Sequence, residues 1–307
     1  MQHIPDRRSR KLLKLEILCN FASGAVRTGR IGRQNQIFYS LRIIMKIALI
    51  GYGKMGHAIE RIARERGHEI VAIIDVDNNA DIDGEAFASA DAAIEFTTPS
   101  TAPDNVMRAA AAGVPVICGS TGWAARRAEV EKRVTELGGA LLASSNFSIG
   151  VNVFNIVNRK LARLMSHLPQ YRPHMYETHH VHKLDHPSGT AITLAEGIIA
   201  ENERVNSWAD EGMVSVDESN CSLTPAQIAA GLEKPVMAPD TLPVLSLREG
   251  EVPGTHTIEW DSPVDTIEIT HRAKSRDGFA LGAVMGAEWI AGRKGIFTID
   301  TMMQELL

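Results

Sequence analysis

Residues 46–56 read KIALIGYGKMG, an apolar run followed at once by glycines in the spacing G-x-G-x-x-G. In a strand–turn–helix unit, Gly51 permits a tight turn, Gly53 leaves room for a pyrophosphate, and Gly56 allows the helix to pack closely on the strand. The helix N-terminus offers free N–H groups to phosphate oxygens. The pattern predicts a dinucleotide-binding turn, with a glycine-rich turn that binds no ligand as the alternative. Its members are Gly51, Tyr52, Gly53, Lys54, Met55 and Gly56.

Further coenzyme contacts are expected where the following apolar runs end. Asp75 closes the second run, where a carboxylate can accept hydrogen bonds from the adenosine ribose. Loops of small hydroxyl residues and glycine follow the later runs, and ligands of open α/β sheets bind at such strand ends. The loops at 96–99 and 119–122 could instead serve only as helix N-caps, whereas residues 144–147 could contact the nicotinamide and act as a hinge. The expected contacts are Phe96, Thr97, Thr98, Gly119, Ser120, Thr121, Ser144, Ser145, Asn146 and Phe147.

The first half of the chain alternates strand-like with helix-like segments. The expected strands cover residues 47–50, 70–75, 92–96, 114–118 and 140–144, and the expected helices lie near 54–66, 101–112 and 123–138. This alternation predicts an α/β fold with a Rossmann-like, doubly wound parallel sheet.

The pattern changes after Gly150, where a smaller α+β domain with an open mixed sheet is expected. A helix is expected over 151–168, a strand over 175–180, a helix near 190–203, and a closing helix over 279–291. Between about residues 245 and 269, apolar residues alternate with polar ones in three short segments, which favours an antiparallel meander. The expected dinucleotide-binding domain is 45–149, completed by 276–307, and the expected substrate-binding and oligomerisation domain is 150–275.

Composition narrows the class of protein. The chain has 307 residues, 44% of them apolar, and no apolar run approaches the roughly 18 residues of a membrane span. Its three cysteines are scattered and form no CxxC pair, which favours a reducing, cytoplasmic compartment. The net charge is −5, and the acidic excess lies after residue 45, so the body of the protein is not expected to bind nucleic acid.

Basic residues are concentrated near the N-terminus. Residues 1–45 carry nine Lys and Arg side chains against two acids and show no sustained helix or strand period. We expect residues 1–44 to be a basic extension that is disordered or results from a start placed too early, since Met45 directly precedes the first strand. A transit peptide and a folded or nucleic-acid-binding arm are the alternatives.

The densest group of reactive side chains lies at residues 177–190, which read ETHHVHKLDHPSGT. The Ser-Gly-Thr step before a helical run places free N–H groups and a hydroxyl at a helix N-terminus, which suits an anion. The neighbouring histidines and lysine suggest proton transfer to an acidic substrate. A zinc site is the alternative, but neighbouring histidines on a strand would face opposite ways and no thiolate accompanies them, so no metal is expected.

From Met45 to Leu307 the sequence resembles the dihydrodipicolinate reductase (4-hydroxy-tetrahydrodipicolinate reductase) family of the diaminopimelate–lysine pathway. Residues 177–191 match the family string E-x-H-H-x-x-K-x-D-x-P-S-G-T-A. Matches also occur at residues 51–56, 96–99, 119–122, 146–152, 248–250, 254–257 and 269–273. Lys54 and Val181 stand where many members have arginine; the first keeps the charge and the second leaves the implied catalytic positions unchanged.

The resemblance implies specific roles. His179 and Lys183 correspond to the catalytic pair, with Lys183 as proton donor, whereas His180, Ser188, Gly189 and Thr190 correspond to the dicarboxylate pocket. It also implies a homotetramer and use of NADH or NADPH. We expect NADH to be favoured, because the carboxylate of Asp75 would repel a 2′-phosphate. Two other functions remain open: a dehydrogenase that uses Cys118 as nucleophile, and a non-catalytic NAD-sensing protein.

Overall fold

The computed structural model describes residues 44–232 and 237–307. The basic extension expected over residues 1–44 lies outside these residues, apart from Ile44. Among the described residues, no helix combines the length and the apolar character needed to cross a bilayer.

Strands and helices alternate through the first half of the chain and follow a less regular order afterwards. The strands are β1 (Lys46–Ile50), β2 (Glu69–Ile74), β3 (Ala92–Glu95), β4 (Val116–Cys118), β5 (Ala140–Ala143), β6 (Arg172–His179), β7 (Ser207–Ser215), β8 (Thr241–Arg248), β9 (Thr255–Asp261), β10 (Thr266–Arg272) and β11 (Gly295–Phe297). The helices are α1 (Lys54–Glu65), α2 (Glu85–Ala88), α3 (Ala102–Ala111), α4 (Arg127–Glu136), α5 (Ile149–Met165), α6 (Gly189–Glu201), α7 (Pro225–Ala230), α8 (Asp277–Ile290) and α9 (Ile299–Leu306). Short 3₁₀ turns cover Val76–Asp83 and Ala124–Arg126.

The first sheet is parallel and has helices on both faces. Within the described residues its strand order is β11-β5-β4-β3-β1-β2, and every pairing in it is parallel. Ile47 and Leu49 of β1 pack into one apolar cluster, whereas Ala48 and Ile50 pack into a second on the opposite face. Because the side chains of a strand alternate between faces, a continuous apolar run marks a strand that is covered on both sides. The Rossmann-like fold class is confirmed.

The end of the chain completes this sheet. Residues 276–307 were expected to complete the first domain, but as a helix followed by a short tail. The structure instead adds β11, paired with β5 from Gly295 to Phe297, and then α9. A strand of three residues is too short to produce a periodic signal in the sequence.

The second sheet is mixed, with the order β10-β9-β6-β8-β7 in the described residues. The expected meander is wrong in its pairing: β9 and β10 form an antiparallel hairpin, but β8 lies parallel to β6 on one side and to β7 on the other. Alternation in the sequence indicates which face of a strand is buried, but it does not identify the neighbouring strand. Strand β7 and helix α7 lie in the polar region for which no element was expected.

Helix α8 approaches the end of the first sheet very closely. A Cβ atom added to Gly282 would lie 1.6 Å from the carbonyl oxygen of Phe147, so only glycine fits at this position. Phe147 is itself buried and follows β5. The contact therefore holds the loop after β5 against the core, at the edge where the candidate site lies.

Candidate active site

The loops that carry the predicted coenzyme residues follow neighbouring strands. Because β5, β4, β3, β1 and β2 are adjacent and parallel, their carboxyl ends meet at one edge of the sheet. Backbone hydrogen bonds join each loop to the next strand: Ser144 N to Cys118 O (3.1 Å), Gly119 N to Glu95 O (2.9 Å), Phe96 N to Ile50 O (2.8 Å) and Gly51 N to Ile74 O (2.8 Å). The predicted residues thus form one line along the edge, from the loop after β5 to Asp75 after β2.

The glycine turn has the geometry that a pyrophosphate needs. Gly51 has φ 94°, and a Cβ atom there would lie 2.2 Å from Phe96 O. A Cβ atom on Gly56 would lie 2.4 Å from Gly51 O, whereas one on Gly53 would meet nothing within 4 Å. No side chain caps the N-terminus of α1 at Gly53. Free N–H groups and open space therefore fit a dinucleotide phosphate.

A buried carboxylate organises the next two loops. Oε1 of Glu95 accepts hydrogen bonds from Thr97 N (2.9 Å), from Thr97 Oγ1 and from Ser120 Oγ (3.1 Å). Oε2 accepts from Cys118 Sγ at 2.9 Å. The ring of Phe96 lies over Gly119, where a Cβ atom would come within 2.1 Å of it. The buried carboxylate of Glu95 thus fixes Thr97 and Ser120, one residue in each loop. Thr98 and Thr121, which follow them, are exposed.

Asp75 is the last of the predicted coenzyme residues along this edge. Its side chain is exposed at the start of the 3₁₀ turn, where Oδ1 accepts a hydrogen bond from Val76 N at 3.0 Å. Its own N–H donates to Asn78 Oδ1 at 2.7 Å. The carboxylate is therefore fixed in direction and still has acceptor capacity for a ribose hydroxyl.

Asn146 links the loop after β5 to the start of α6. Asn146 N donates to Ser144 Oγ at 3.1 Å, and Asn146 Nδ2 lies 3.3 Å from Thr190 Oγ1, to which it donates. Thr190 belongs to the predicted anion site at the start of α6. This hydrogen bond connects the predicted coenzyme residues at the edge of the first sheet with the predicted substrate residues beside the second.

His179 is the last residue of β6 and has two titratable neighbours. Its Nδ1 lies 2.5 Å from Oε2 of Glu177, and its ring lies edge-on to that of His256, with centroids 5.3 Å apart. Burial opposes ionisation of Glu177, but interactions with His179, Ser246 and Ser188 outweigh it and hold the Glu177 pKa at about 2. Burial and the neighbouring His179 lower the pKa of His256 to about 3. Glu177 is therefore an anion and His256 is neutral at physiological pH.

Lys183 lies in the loop after β6 and pairs with a carboxylate. Its Nζ donates to both oxygens of Asp185 at 2.8 Å, and this hydrogen bond lowers the pKa of Asp185. The Lys183 side chain is 20% exposed, whereas that of Asp185 is 63% exposed. A positive charge is thus held at the rim of the site and remains within reach of an incoming ligand.

The predicted anion site has the expected local geometry. Helix α6 begins at Gly189, and the Oγ of Ser188 caps it by accepting from Ala191 N at 3.2 Å. A Cβ atom on Gly189 would meet nothing within 4 Å, so the N–H groups of Gly189 and Thr190 are approachable. Such a helix start offers N–H groups and a positive dipole end to a carboxylate.

Predicted coenzyme residues and predicted catalytic and substrate residues together line one cavity of about 860 Å³. Those predicted from the sequence are Thr121, Ser144, Ser145, Asn146, His179, His180, Lys183, Ser188, Gly189 and Thr190. His179 and His180 both border it, contrary to the expectation that they face opposite ways, because β6 ends at His179 and the backbone turns. The glycine turn, Asp75, residues 96–98, Gly119, Ser120 and Phe147 lie outside this cavity.

Three buried side chains at and beside the end of β6 carry atoms of the kind that bind metal ions. Glu177, His179 and His256 bring three potential ligand atoms within 4.8 Å of one another. However, Arg248 Nη1 lies 3.3 Å from Glu177 Oε1, and its positive charge opposes a metal ion there. The expectation of no metal stays a prediction.

From the sequence alone, no role was expected for Glu95, Glu177 or Arg248. Glu95 is the charged residue in an otherwise apolar strand, which is a detectable signal because an unpaired buried charge is costly. Glu177 and Arg248 appear in the matched motifs, but their contact depends on the pairing of β6 with β8, which the sequence does not specify.

Comparison with known proteins identifies the family. The family model "Dihydrodipicolinate reductase, N-terminus" matches residues 45–147, and "Dihydrodipicolinate reductase, C-terminus" matches residues 150–303. The chain belongs to the dihydrodipicolinate reductase family. The resemblance noted in the sequence is thereby confirmed, and as a member of this family the chain is an NAD(P)H-dependent oxidoreductase.

Relatives and a solved structure agree with this assignment. The chain is 40% identical over 263 residues to the 4-hydroxy-tetrahydrodipicolinate reductase of Christiangramia forsetii, a match that covers 85% of the chain and 99% of the relative. It is 32% identical to the reductase of the same name from Archaeoglobus fulgidus, over 85% of the chain and all of the relative (100%). The dipicolinate-bound dihydrodipicolinate reductase of Paenisporosarcina sp. TG-14 has the same fold, with a TM-score of 0.60 at 19% identity, over 83% of this chain and 98% of that one.

Proposed function

We propose that the protein reduces 4-hydroxy-tetrahydrodipicolinate to tetrahydrodipicolinate with NADH or NADPH, in the diaminopimelate–lysine pathway. The main support is the shared cavity, because coenzyme-edge residues such as Ser144 and Asn146 line it together with His179, Lys183 and Thr190. A hydride donor and a dicarboxylate acceptor can therefore meet in one cavity.

The dicarboxylate binds through the start of α6 and the basic residues opposite it. One carboxylate accepts hydrogen bonds from the N–H groups of Gly189 and Thr190, aided by the dipole of α6. The ammonium of Lys183 balances part of the remaining charge, and the ring of His180 hydrogen-bonds to the substrate. Binding a dianion replaces part of the attraction that Asp185 exerts on Lys183, and so draws the ammonium towards the substrate.

The reaction needs a proton as well as a hydride. When bound, NADH or NADPH supplies the hydride from C4 of its nicotinamide. The substrate hydroxyl first leaves as water together with a proton from the neighbouring ring carbon. Hydride addition to the conjugated imine that results gives an enamine, which then takes up a proton. Lys183 donates that proton from its ammonium group, while His179, held by Glu177, acts as an acid or base or stabilises the developing charge.

A coupled assay tests this proposal. Pyruvate and aspartate semialdehyde are condensed by the synthase that precedes the reductase, and purified protein is added with NADH or NADPH while nicotinamide absorbance is followed. We expect oxidation that depends on the protein and on both precursors, with the omission of pyruvate as control. If neither coenzyme is oxidised, the proposed reaction is wrong, and a non-catalytic NAD-binding role takes its place.

The structure disfavours the alternative that uses Cys118 as a nucleophile. Cys118 is buried, and burial together with the charge of Glu95 raises the pKa of its thiol far above the ordinary value, whereas a nucleophilic cysteine needs a lowered pKa. We expect Cys118→Ser to keep kcat within about threefold of the wild type. A loss of activity with intact coenzyme binding would restore the thiol mechanism.

We also propose a cytoplasmic homotetramer, as the family resemblance implies. Exposed apolar side chains on strands β10 and β7, such as Ile267 and Met213, are available for contacts between subunits. Sedimentation at micromolar concentration should give the mass of four chains, and a monomer would contradict the assembly.

A further inference from the structure

Arg248 is a fully buried arginine whose donors point at the loop that carries the predicted proton donor. It ends strand β8, and its Nε donates to the carbonyl oxygen of Lys183 at 3.1 Å. Its Nη2 donates to the carbonyl oxygen of Asp185 at 2.8 Å, and Nη1 donates to that of Leu247 at 2.7 Å. The planar guanidinium makes these bonds at the same time because its donors are spread over three nitrogen atoms, whereas the three donors of an ammonium all lie on one nitrogen.

Glu177 neutralises this arginine and contacts two further parts of the site. Its Oε1 lies 3.3 Å from Arg248 Nη1 and also accepts a hydrogen bond from the backbone N–H of Ser188 at 3.3 Å. Its Oε2 lies 2.5 Å from Nδ1 of His179. One carboxylate thus contacts His179 and the residue that caps the anion-binding helix, while its partner arginine holds the loop between them.

Burying the ion pair of Glu177 and Arg248 costs free energy, so a role beyond stability is expected for it. Glu177 is 0% exposed and Arg248 is 2% exposed. Removing such a pair from water carries a desolvation penalty, and well-packed apolar residues often stabilise a protein as much or more. Stability alone therefore does not account for a buried pair that reaches three backbone groups of residues 183–188.

We propose that Arg248 and Glu177 are positioning residues, which hold residues 183–188 so that the Lys183 ammonium and the N–H groups at the start of α6 face the same ligand. This inference rests on the proposed function for its catalytic consequence. Its structural part, the fixation of the loop by the ion pair, can be measured without turnover. Misplacement of a reacting group by about 1 Å can lower a rate by about 100-fold, so the pair should affect kcat although neither residue touches the substrate.

The chain offers a matched control for the arginine. Arg204, which follows the C-terminal end of α6, makes the same kind of contacts, donating to the carbonyl oxygens of Ser166, Met165 and Leu168 at 3.0, 2.7 and 3.0 Å. Arg248→Lys and Arg204→Lys each keep a positive charge and lose the planar set of donors. A general effect on folding should appear in both variants, whereas an effect on residues 183–188 should appear only in the first.

We expect Arg248→Lys to lower kcat by about 30-fold or more while the KM for NADH stays within about twofold, and Arg204→Lys to leave both nearly unchanged. Glu177→Gln, which keeps the shape and removes the charge, should also lower kcat and should weaken dipicolinate binding. Its control is Glu288→Gln on α8, where the carboxylate that is removed also pairs with an arginine, Arg66, whose Nη2 lies 2.7 Å from Glu288 Oε2. If Arg248→Lys does not fold, the comparison of Glu177→Gln with Glu288→Gln tests the positioning role. Wild-type kcat in both Arg248→Lys and Glu177→Gln, or equal losses in the variants and their controls, would overturn the proposal.

Hydrogen exchange separates this proposal from the proposed function. The amides of Lys183 and Ser188 are hydrogen-bonded, to His180 O and to Glu177 Oε1. In Arg248→Lys we expect the peptide covering residues 181–188 to exchange about tenfold faster or more, with no such change in Arg204→Lys. Faster exchange in a protein that does not reduce the substrate would refute the proposed reaction but support the fixation of the loop. Unchanged exchange would overturn the positioning role whatever the turnover.

Discussion

Asn146 and Thr190 are joined by a side-chain hydrogen bond of 3.3 Å, from Nδ2 to Oγ1. Asn146 lies in the loop after β5, among the predicted coenzyme residues, and Thr190 is the second residue of α6, the helix predicted to bind a carboxylate. The bond also lies at the cavity that both residues line. Binding at either end can therefore influence the other through a single contact.

We expect Asn146→Ala to reduce the coupling between the two ligands. With the bond intact, NADH should order Thr190 and strengthen dipicolinate binding; without it, this gain should fall by roughly fivefold, the size of one hydrogen bond of about 1 kcal/mol. Calorimetry of dipicolinate binding with and without NADH measures the coupling. Thr190→Val should give the same loss, and the double variant should add nothing to it. Undiminished coupling in Asn146→Ala would show that the bond carries none of it.

Lys183→Ala should lower kcat by at least about 100-fold, because protonation of the enamine assists only after hydride transfer has begun. Coenzyme binding should remain nearly intact, since Lys183 lies beside the start of α6 and not along the glycine turn. Lys160→Ala, at an exposed position on α5, is the control for the loss of a surface charge. Steady-state kinetics and NADH titration check both expectations. A parallel loss of NADH affinity would mean that Lys183 is structural.

The sequence predicted what depends on local pattern and missed what depends on strand pairing. The turn at Gly51 and the helix cap at Ser188 could be located because each requires particular residues at fixed spacing. The parallel neighbours of β8 could not, since alternation does not identify a partner strand. For the same reason, the contacts of Arg248 with the loop after β6 could not be anticipated. They arise only when strands far apart in the chain become neighbours in the sheet.

Folding stability should increase with pH through the region where the buried His256 is neutral and the unfolded histidine is charged. Burial, and then the charge of His179, lower its folded pKa to about 3, against about 6.5 in an unfolded chain. Between these values the unfolded chain binds the additional proton, so the free energy of unfolding rises with pH and is level above the window. Glu177 opposes this shift, while His271 and Lys183 add to it.

Denaturant unfolding of His256→Gln between about pH 5 and 6.5 measures this contribution. The variant keeps a group that can bond to Ser188 Oγ, which lies 3.2 Å from His256 Nε2. We expect a smaller slope of unfolding free energy against pH than in the wild type, with the same level region above neutral pH as the internal reference. A slope remains because burial also lowers the pKa of His271. An unchanged slope would show that His256 is not the group that takes up the proton.

Gly282→Ala should destabilise the protein although alanine is the better helix former. Helix propensity favours alanine by about 1 kcal/mol, but the added Cβ atom would lie 1.6 Å from Phe147 O, and overpacking of this kind costs about 1–3 kcal/mol or more. The steric effect should win, with a net loss of about 1 kcal/mol or more. Gly231→Ala, where the Cβ atom would lie 3.5 Å from Ile228 O, is the control. Equal stability of Gly282→Ala and the wild type would mean that α8 moves away freely.

Coenzyme preference should follow from the charges around the adenosine ribose. Asp75 presents an exposed carboxylate after β2, and this would attract a 2′-hydroxyl but repel a 2′-phosphate. The turn after it, Val76–Asp83, contains no basic residue. Arg108 reaches this turn but is already committed, with Nη2 2.7 Å from Asp83 Oδ2 and 3.0 Å from Asn79 O. Lys54, exposed at the first position of α1, is the opposing charge.

We therefore expect use of both coenzymes, with kcat/KM favouring NADH several-fold at moderate ionic strength. Lys54→Ala should reduce kcat/KM for NADPH more than for NADH, since a flexible ammonium attracts the 2′-phosphate and the hydroxyl gains little from it. Asp75→Asn should act in the opposite sense and reduce the difference in kcat/KM between NADH and NADPH. Lys160→Ala should leave that difference unchanged. Steady-state kinetics with both coenzymes on the four proteins provides the comparison. A wild-type preference for NADPH that Lys54→Ala removes would show that the lysine, and not Asp75, dominates the ribose pocket.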